Sequence, residues 1–582
     1  MKLPLLTGLC AGLLVACSGH RANVADNVRI RWDADPETLD PLRQPTKASS
    51  EAENLLHLSL LQVDYAKSSY SPGLADSLPR IRLVGDSLTL LTYRLRKAAT
   101  WDNGQPVLAT DVAFTLKLMQ APGLPNESIR TQYNFIRELR ADPNDARRFT
   151  LVCQGQASDF AHTSGDFFIL PEAALDARGT LRRYRLADLI GRSASAAPDT
   201  VLAALARRYA AAAPGRRPER LPGCGPYRLV SWEKDHHLRF QRKPQWWADS
   251  LKPLPAVLQA RPSQIDFLII PNEASAVLAL RRGDVDLYPD VPAREFNRLR
   301  QSDKARQTLA FYTTLSHNVV TAGFNTRRPA LADRRTRQAL ALLFDVPSLL
   351  AATQQGLGQR TVGIISPNTR CNYADSLPPL AFAPGRAVAL LQQAGWRQKA
   401  ATPTARWTRQ GPSGTVQQLA LQVRYRAEET AFETIGLQFR AAAAQLGIAV
   451  ELRPTEASSL KATLQQGDFD LYIKAVQGNP YIFNFTSILH SQGVGEANLT
   501  GFGTPASDRL VEAVALAYSP TVRSRLLRKL QVLMREEMPM VPLFFENNRI
   551  VANRRLRNLC PSSMRPGYAA AAITWGPQAT LQ

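Results

Sequence analysis

Two short stretches of this chain follow one pattern. Leu280-Arg281-Arg282-Gly283-Asp284-Val285-Asp286 and Leu464-Gln465-Gln466-Gly467-Asp468-Phe469-Asp470 each run from an apolar helix into Gly-Asp and place a second aspartate before apolar residues. Glycine admits the left-handed turn that stops a helix, and aspartate bonds local backbone. Each stretch therefore reads as helix, stop, strand: folding punctuation rather than a ligand site. The same alternation surrounds them. Residues 319–324, 419–425, 448–453 and 541–545 carry strand patterning, and 334–344, 384–394, 429–446, 458–465 and 523–537 carry helical spacing. This rhythm predicts an α/β lobe with some parallel sheet.

The first half is more mixed. It predicts strands at 28–32, 87–96 and 265–270, a hairpin of 228–232 with 237–242, and helices at 52–61, from Thr110-Asp111 to about 119, at 201–213 and from about 274. A chain of 582 residues is too long for one core and implies two to four domains.

A lysine at position 2, an apolar run over 3–14 and Leu14-Val15-Ala16-Cys17 predict a signal peptide ending in a bacterial lipobox, with Cys17 lipidated as the new N-terminus. The run is too short to span about 30 Å of hydrocarbon, and no other segment approaches 18 consecutive apolar residues. The expectation is an exported protein on the periplasmic face of the cell envelope, held to a membrane by acyl chains.

The net charge of 71 − 49 = +22 raises the question of nucleic acid. The basic residues are spread along the chain instead of forming an arm or stripe, and export removes most nucleic-acid partners, so none is expected. The seven histidines show no HExxH spacing, and the chain has no GxSxG elbow, phosphate loop or dinucleotide fingerprint. No enzyme, metal site or cofactor is expected.

Several blocks then occur in a telling order: Asp40-Pro41, Pro72-Gly73-Leu74-Ala75-Asp76-Ser77, Tyr93-Arg94-Leu95-Arg96-Lys97, Trp101-Asp102-Asn103-Gly104-Gln105-Pro106 and Ala109-Thr110-Asp111-Val112-Ala113-Phe114. Gly223-Cys224-Gly225-Pro226-Tyr227 follows, with Trp246-Trp247, Phe324-Asn325-Thr326, Ala394-Gly395-Trp396 and Met538-Pro539-Met540-Val541-Pro542-Leu543. Over about residues 28–556 the chain resembles the family 5 extracellular solute-binding proteins, the oligopeptide-, dipeptide- and nickel-binding components of ABC importers.

The resemblance implies a two-lobe, type II periplasmic-binding-protein-like α/β clamp. Residues 28–45, 221–315 and 546–582 would form the first lobe, with 46–220 packed on it as an extra domain, and 316–545 the second lobe. Strands near 312–320 and 542–550 would form the hinge. It further implies a monomer that captures a peptide or peptide-like solute and hands it to permease and ATPase subunits. The alternatives are a sensor or chaperone without a permease, or an envelope hydrolase on the same scaffold.

In peptide-binding members an aspartate four residues before a proline pairs with the peptide ammonium; counting back from Pro480 gives Val476, which cannot. Lys474, Gln477, Asn479 and Tyr481 offer donors and a ring instead, which with the basic bias favours a carboxylate- or amide-bearing ligand. Gln44 and Lys47, in a stretch that faces the cleft in the family, are further candidates. Four cysteines remain beyond the leader, allowing three pairings. The implied domains favour Cys153–Cys224 and Cys371–Cys560, with buried free thiols as the alternative.

Overall fold

A computed structural model describes residues 26–577 apart from 44–45, 86, 131, 193–198, 399–405, 412–413, 482 and 496. Cys17 and Gln44 thus lie outside the described residues. One eleven-stranded sheet runs through the molecule. At one end lie the parallel strands Ala449–Thr455, Ala420–Arg426 and Leu471–Gln477. Two long antiparallel strands follow, Leu309–Phe324 and Met540–Asn553. Beyond them Leu287–Tyr288, Asn27–Trp32 and Gln264–Ile269 are again parallel, and the hairpin His237–Arg242 with Tyr227–Glu233 closes the far edge.

Two large apolar cores sit on either side of the long strands. One gathers Val28, Ile30, Phe240 and Phe267, with the antiparallel sheet of Leu88–Arg94 and Asp145–Gln154 packed on it through Leu91, Phe149 and Leu151. The other gathers Phe324, Phe344, Trp396, Val423 and Phe439. The α/β, two-lobe clamp expected from the sequence is the architecture observed. Among the described residues no helix is long and apolar enough to cross a membrane.

Local chemistry explains the elements. Gly283 and Gly467 end their helical runs at φ +81° and +76°. The second aspartate of each unit then ties to the neighbouring parallel strand. Asp286 accepts from Arg29 Nε and Nη2 and from the Arg29 backbone N–H, all at 2.9 Å, and Asp470 accepts from the Gln422 backbone N–H at 2.8 Å. The Trp101-Asp102-Asn103-Gly104 turn and the Gly223-Cys224-Gly225 corner lock each other: Asp102 accepts from the Gly223 N–H at 2.9 Å and ion-pairs with Lys243 at 2.5 Å. A Cβ on Gly225 would stand 2.5 Å from the Leu55 carbonyl oxygen, so only glycine fits there.

Several expectations change. The helix expected over 52–61 is Lys47–Leu56, started by Thr46, whose hydroxyl accepts from the Ser49 N–H; the chain then extends into strand Leu61–Asp64. Asp111 stands inside helix Ala109–Gln120 rather than capping it from outside, and accepts from the Leu108 N–H. The short strands expected near 319–324 and 541–545 are the ends of the two long ones, since their polar middles give no apolar alternation.

The expected disulfides do not form: Cys153, Cys224, Cys371 and Cys560 are free thiols. Cys153 lies in a sheet ladder opposite Thr89, whereas Cys224 lies under Trp246 and Trp247, whose indoles both donate to its carbonyl. Burial pushes both thiols up to about 12. Cys371 is exposed on the second-lobe side, apart from Cys560, which follows strand Leu556–Arg557.

Candidate functional site

Ligands of open α/β sheets lie outside the carboxyl ends of parallel strands, where loops converge and helices begin. Here both parallel groups turn those ends toward the long central strands. Asp33 directly follows strand Asn27–Trp32, Glu273 opens the helix Glu273–Arg282 after Gln264–Ile269, and Asp290 follows Leu287–Tyr288. On the other side Glu429 follows Ala420–Arg426 at the start of helix Thr430–Gln445. Glu429 lies within electrostatic reach of Arg426 and, from the other side, of Asp33, Glu273 and Asp290.

A fifth carboxylate comes from the long strands. Leu315 pairs with Asn547 and Val319 with Phe545, so residues 316–318 stand against the single residue Glu546. Such a bulge interrupts the ladder and re-aims the side chain it faces. Burial raises the Glu546 carboxyl to about 7, with Glu429 and Asp290 adding to the rise and Arg549 opposing it. Burial likewise raises Glu429. Beside this group Lys47 Nζ ion-pairs with Asp290. Glu51, one turn on in the same helix, is 3% exposed and accepts from Trp32 Nε1 and Tyr568 Oη at 2.8 Å. Burial lifts its carboxyl to about 7. Among the described residues no cluster of His, Cys, Asp or Glu is arranged to hold a metal ion.

The residues singled out in the sequence divide into three groups. Lys47 belongs to the carboxylate group through Asp290. Gln477 accepts from Arg565, which itself faces Asp290 and Glu51. Asn479 and Tyr481 instead make a contact between the two sides: Asn479 Nδ2 donates to Tyr70 Oη at 3.3 Å and Tyr481 Oη donates to the Ser68 carbonyl at 2.7 Å. The Tyr481 ring lies 5.0 Å from the His162 ring and 5.9 Å, edge-on, from Tyr70. Tyr70 Oη in turn donates to Asp166 at 2.7 Å. Lys474 stands apart, with Lys461 as its charged neighbour, and burial lowers its ammonium. Val476 pairs with Val319 in the ladder.

The facing carboxylates Asp33, Glu273, Asp290, Glu429 and Glu546 were not singled out in the sequence. The signal that marks four of them is position: each falls within a few residues after a parallel strand.

Comparison with known proteins places this geometry. The family model for bacterial extracellular solute-binding proteins, family 5 (middle region), matches residues 69–494. Di/tripeptide-binding protein 3 of Pseudomonas aeruginosa is 23% identical over 554 residues, 93% of each chain. The nickel-binding periplasmic protein of Escherichia coli is 24% identical over 347 residues, covering 58% of this chain and 62% of that one. Among solved structures, the oligopeptide-binding protein of Bacillus subtilis with a nonapeptide superposes with a TM-score of 0.76 at 18% identity, covering 95% of this chain and 99% of the other. The oligopeptide-binding protein of Thermus thermophilus with a pentapeptide gives 0.74 at 20% identity, covering 94% and 96%. These relatives are binding proteins rather than enzymes. By the family match and the fold together, the chain belongs to the bacterial extracellular solute-binding proteins of family 5.

Proposed function

We propose that this chain is the lipid-anchored solute-binding subunit of an ABC importer, held at the envelope membrane through Cys17. It captures a peptide or peptide-like solute between its lobes and delivers it to a membrane permease. The lobes are 28–45, 221–315 and 546–582 with 46–220 packed on them, and 316–545.

The observation that carries the reading is the facing of parallel-strand carboxyl ends from two separate cores across two shared strands. A ligand lodged there touches both lobes, binds the closed form better than the open one, and so shifts the equilibrium toward closure. No bond is made or broken. The peptide-binding names of the relatives support the solute class.

Native mass spectrometry of freshly purified mature protein tests the proposal. Co-purifying small solutes with a ladder of peptide masses are the expected result. A bare protein that also shows no change in melting temperature with a mixed tripeptide library would overturn it.

A further inference from the structure

The helix Pro520–Glu537 buries Leu527, Leu530, Gln531 and Met534 and leaves Arg525, Arg528 and Lys529 exposed. Spaced three and four apart, these cations share one stripe of the helix. With Ser524 of the same helix and Cys371 and Ser376 of the facing loop they line an open cleft of about 640 Å³.

The cleft has a braced inner wall. Ser524 Oγ donates to Asn372 Oδ1 at 2.7 Å, Gln531 Nε2 donates to the Asn372 carbonyl at 2.8 Å, and the Ala374 N–H donates to Gln531 Oε1 at 3.3 Å. Asn372 and Gln531 are buried, so these bonds are shielded from water and fix the loop on the helix. Arg528 Nε donates to the Tyr373 carbonyl at 3.1 Å, which orients one guanidinium along the wall. The charge on that wall is uncompensated. Among the described residues the Arg525 and Lys529 side chains make no hydrogen bond or ion pair. No carboxylate lines the cleft; Asp375, between Ala374 and Ser376, is exposed and also without an ion pair.

A second observation concerns apolar surface. At the start of the same helix Tyr518 is 41% and Val522 39% exposed. Unpaired cations beside exposed large apolar side chains are the composition of a surface that lies on an anionic membrane. We infer that this face of the molecule docks on anionic phospholipid, with Arg525, Arg528 and Lys529 taking headgroup phosphate and Tyr518 and Val522 entering the headgroup layer. Guanidinium and ammonium N–H groups suit phosphate oxygens. A free phosphate offers nothing to the two apolar side chains, which favours the lipid as its source. The inference does not depend on which solute is captured. On the proposed reading, Cys17 carries acyl chains into the same membrane, and this face sets how the tethered body lies on it.

The test uses the full chain from Ser18 onward, made without acyl chains, sedimented with vesicles of phosphatidylcholine alone or mixed with phosphatidylglycerol. Binding to the anionic vesicles alone is expected. Binding to neither, or equally to both, overturns the inference. Arg525→Gln with Lys529→Gln should weaken binding about thirtyfold. Arg281→Gln with Arg282→Gln makes the same change of charge at the exposed end of helix Glu273–Arg282 and should leave binding unchanged. Equal weakening by both pairs overturns the inference, since it reports only the +22 net charge. Cys371 supplies a readout that needs no variant. Its alkylation by a soluble maleimide, read by mass spectrometry, should slow when anionic vesicles bind, and an unchanged rate overturns the inference. Glycerol phosphate separates the two phosphate sources: a rise in melting temperature with it, without vesicle binding, assigns the cleft to a free phosphate ester and overturns the lipid.

Discussion

Two regions join the halves of this molecule, and they are built on opposite terms. In the first, Tyr481, Asn479, Tyr70, Ser68 and His162 meet with hydroxyl and amide groups paired and rings packed, only the His162 Nδ1 being buried without a partner. In the second, Glu429 and Glu546 lie within electrostatic reach of Asp290 and, among the described residues, make no side-chain hydrogen bond or ion pair, while Asp290 is held by Lys47. A satisfied polar contact holds a conformation; an unsatisfied one asks for a ligand. The difference teaches that proximity across the lobes is not one property. On the proposed clamp reading, the tyrosine contact would favour closure and the like charges of Glu429 and Asp290 would oppose it.

The largest break in that comparison comes from Tyr481→Ala. It removes the hydroxyl donated to Ser68 and two ring contacts, and should disfavour the closed form by about 2 kcal/mol. Small-angle scattering of the ligand-free protein should then show a larger radius of gyration; an unchanged profile would refute the assignment. Next in size is the double substitution Glu429→Gln with Glu546→Gln. It removes like-charge opposition worth about 1 kcal/mol after discounting for partial solvent access, and should raise the ligand-free melting temperature near neutral and alkaline pH.

The pH dependence sharpens the same point. The fold raises Glu546 and Glu51 from 4.5 to about 7, so it prefers their protonated forms. Their stabilising effect is complete below 4.5 and is lost as pH climbs through about 7. Melting temperature should fall across that window, and less steeply in Glu546→Gln. The smallest effect expected is Asn479→Ala, whose bond to Tyr70 is long at 3.3 Å, at about 0.5 kcal/mol in urea unfolding.

Much of the fold was legible because local rules and tertiary packing agree. The Gly-Asp-x-Asp units stop helices as their residues dictate, and the blocks Trp101-Asp102-Asn103-Gly104 and Gly223-Cys224-Gly225 serve each other's backbone. Residue patterning alone marked the long central strands only at their ends, because polar residues such as Thr313, Thr314, Asn547 and Asn548 carry no apolar alternation; the middles, near 312–320 and 542–550, were expected only from the family resemblance. The site was legible in part. Position after a strand end points to Asp33, Glu273, Asp290 and Glu429, but a single carboxylate in a loop looks like ordinary solvation until a second lobe faces it. Glu546 depends on a bulge, which one sequence does not reveal. Tyr481 and Asn479 were expected as ligand contacts, and their polar groups pair with Ser68 and Tyr70 across the two sides.

The two central strands are hydrogen-bonded to each other along nearly their whole length, from Leu309 opposite Asn553 to Gly323 opposite Met540. What links the two cores is therefore no slack tether but a hydrogen-bonded ribbon of two strands. On the proposed clamp reading, opening would flex that ribbon at its two irregularities, residues 316–318 opposite Glu546 and the step between Val320 and Thr321. Glu546 thus stands at one of the two joints of the proposed hinge, where a small change of angle would be carried to the whole of each lobe.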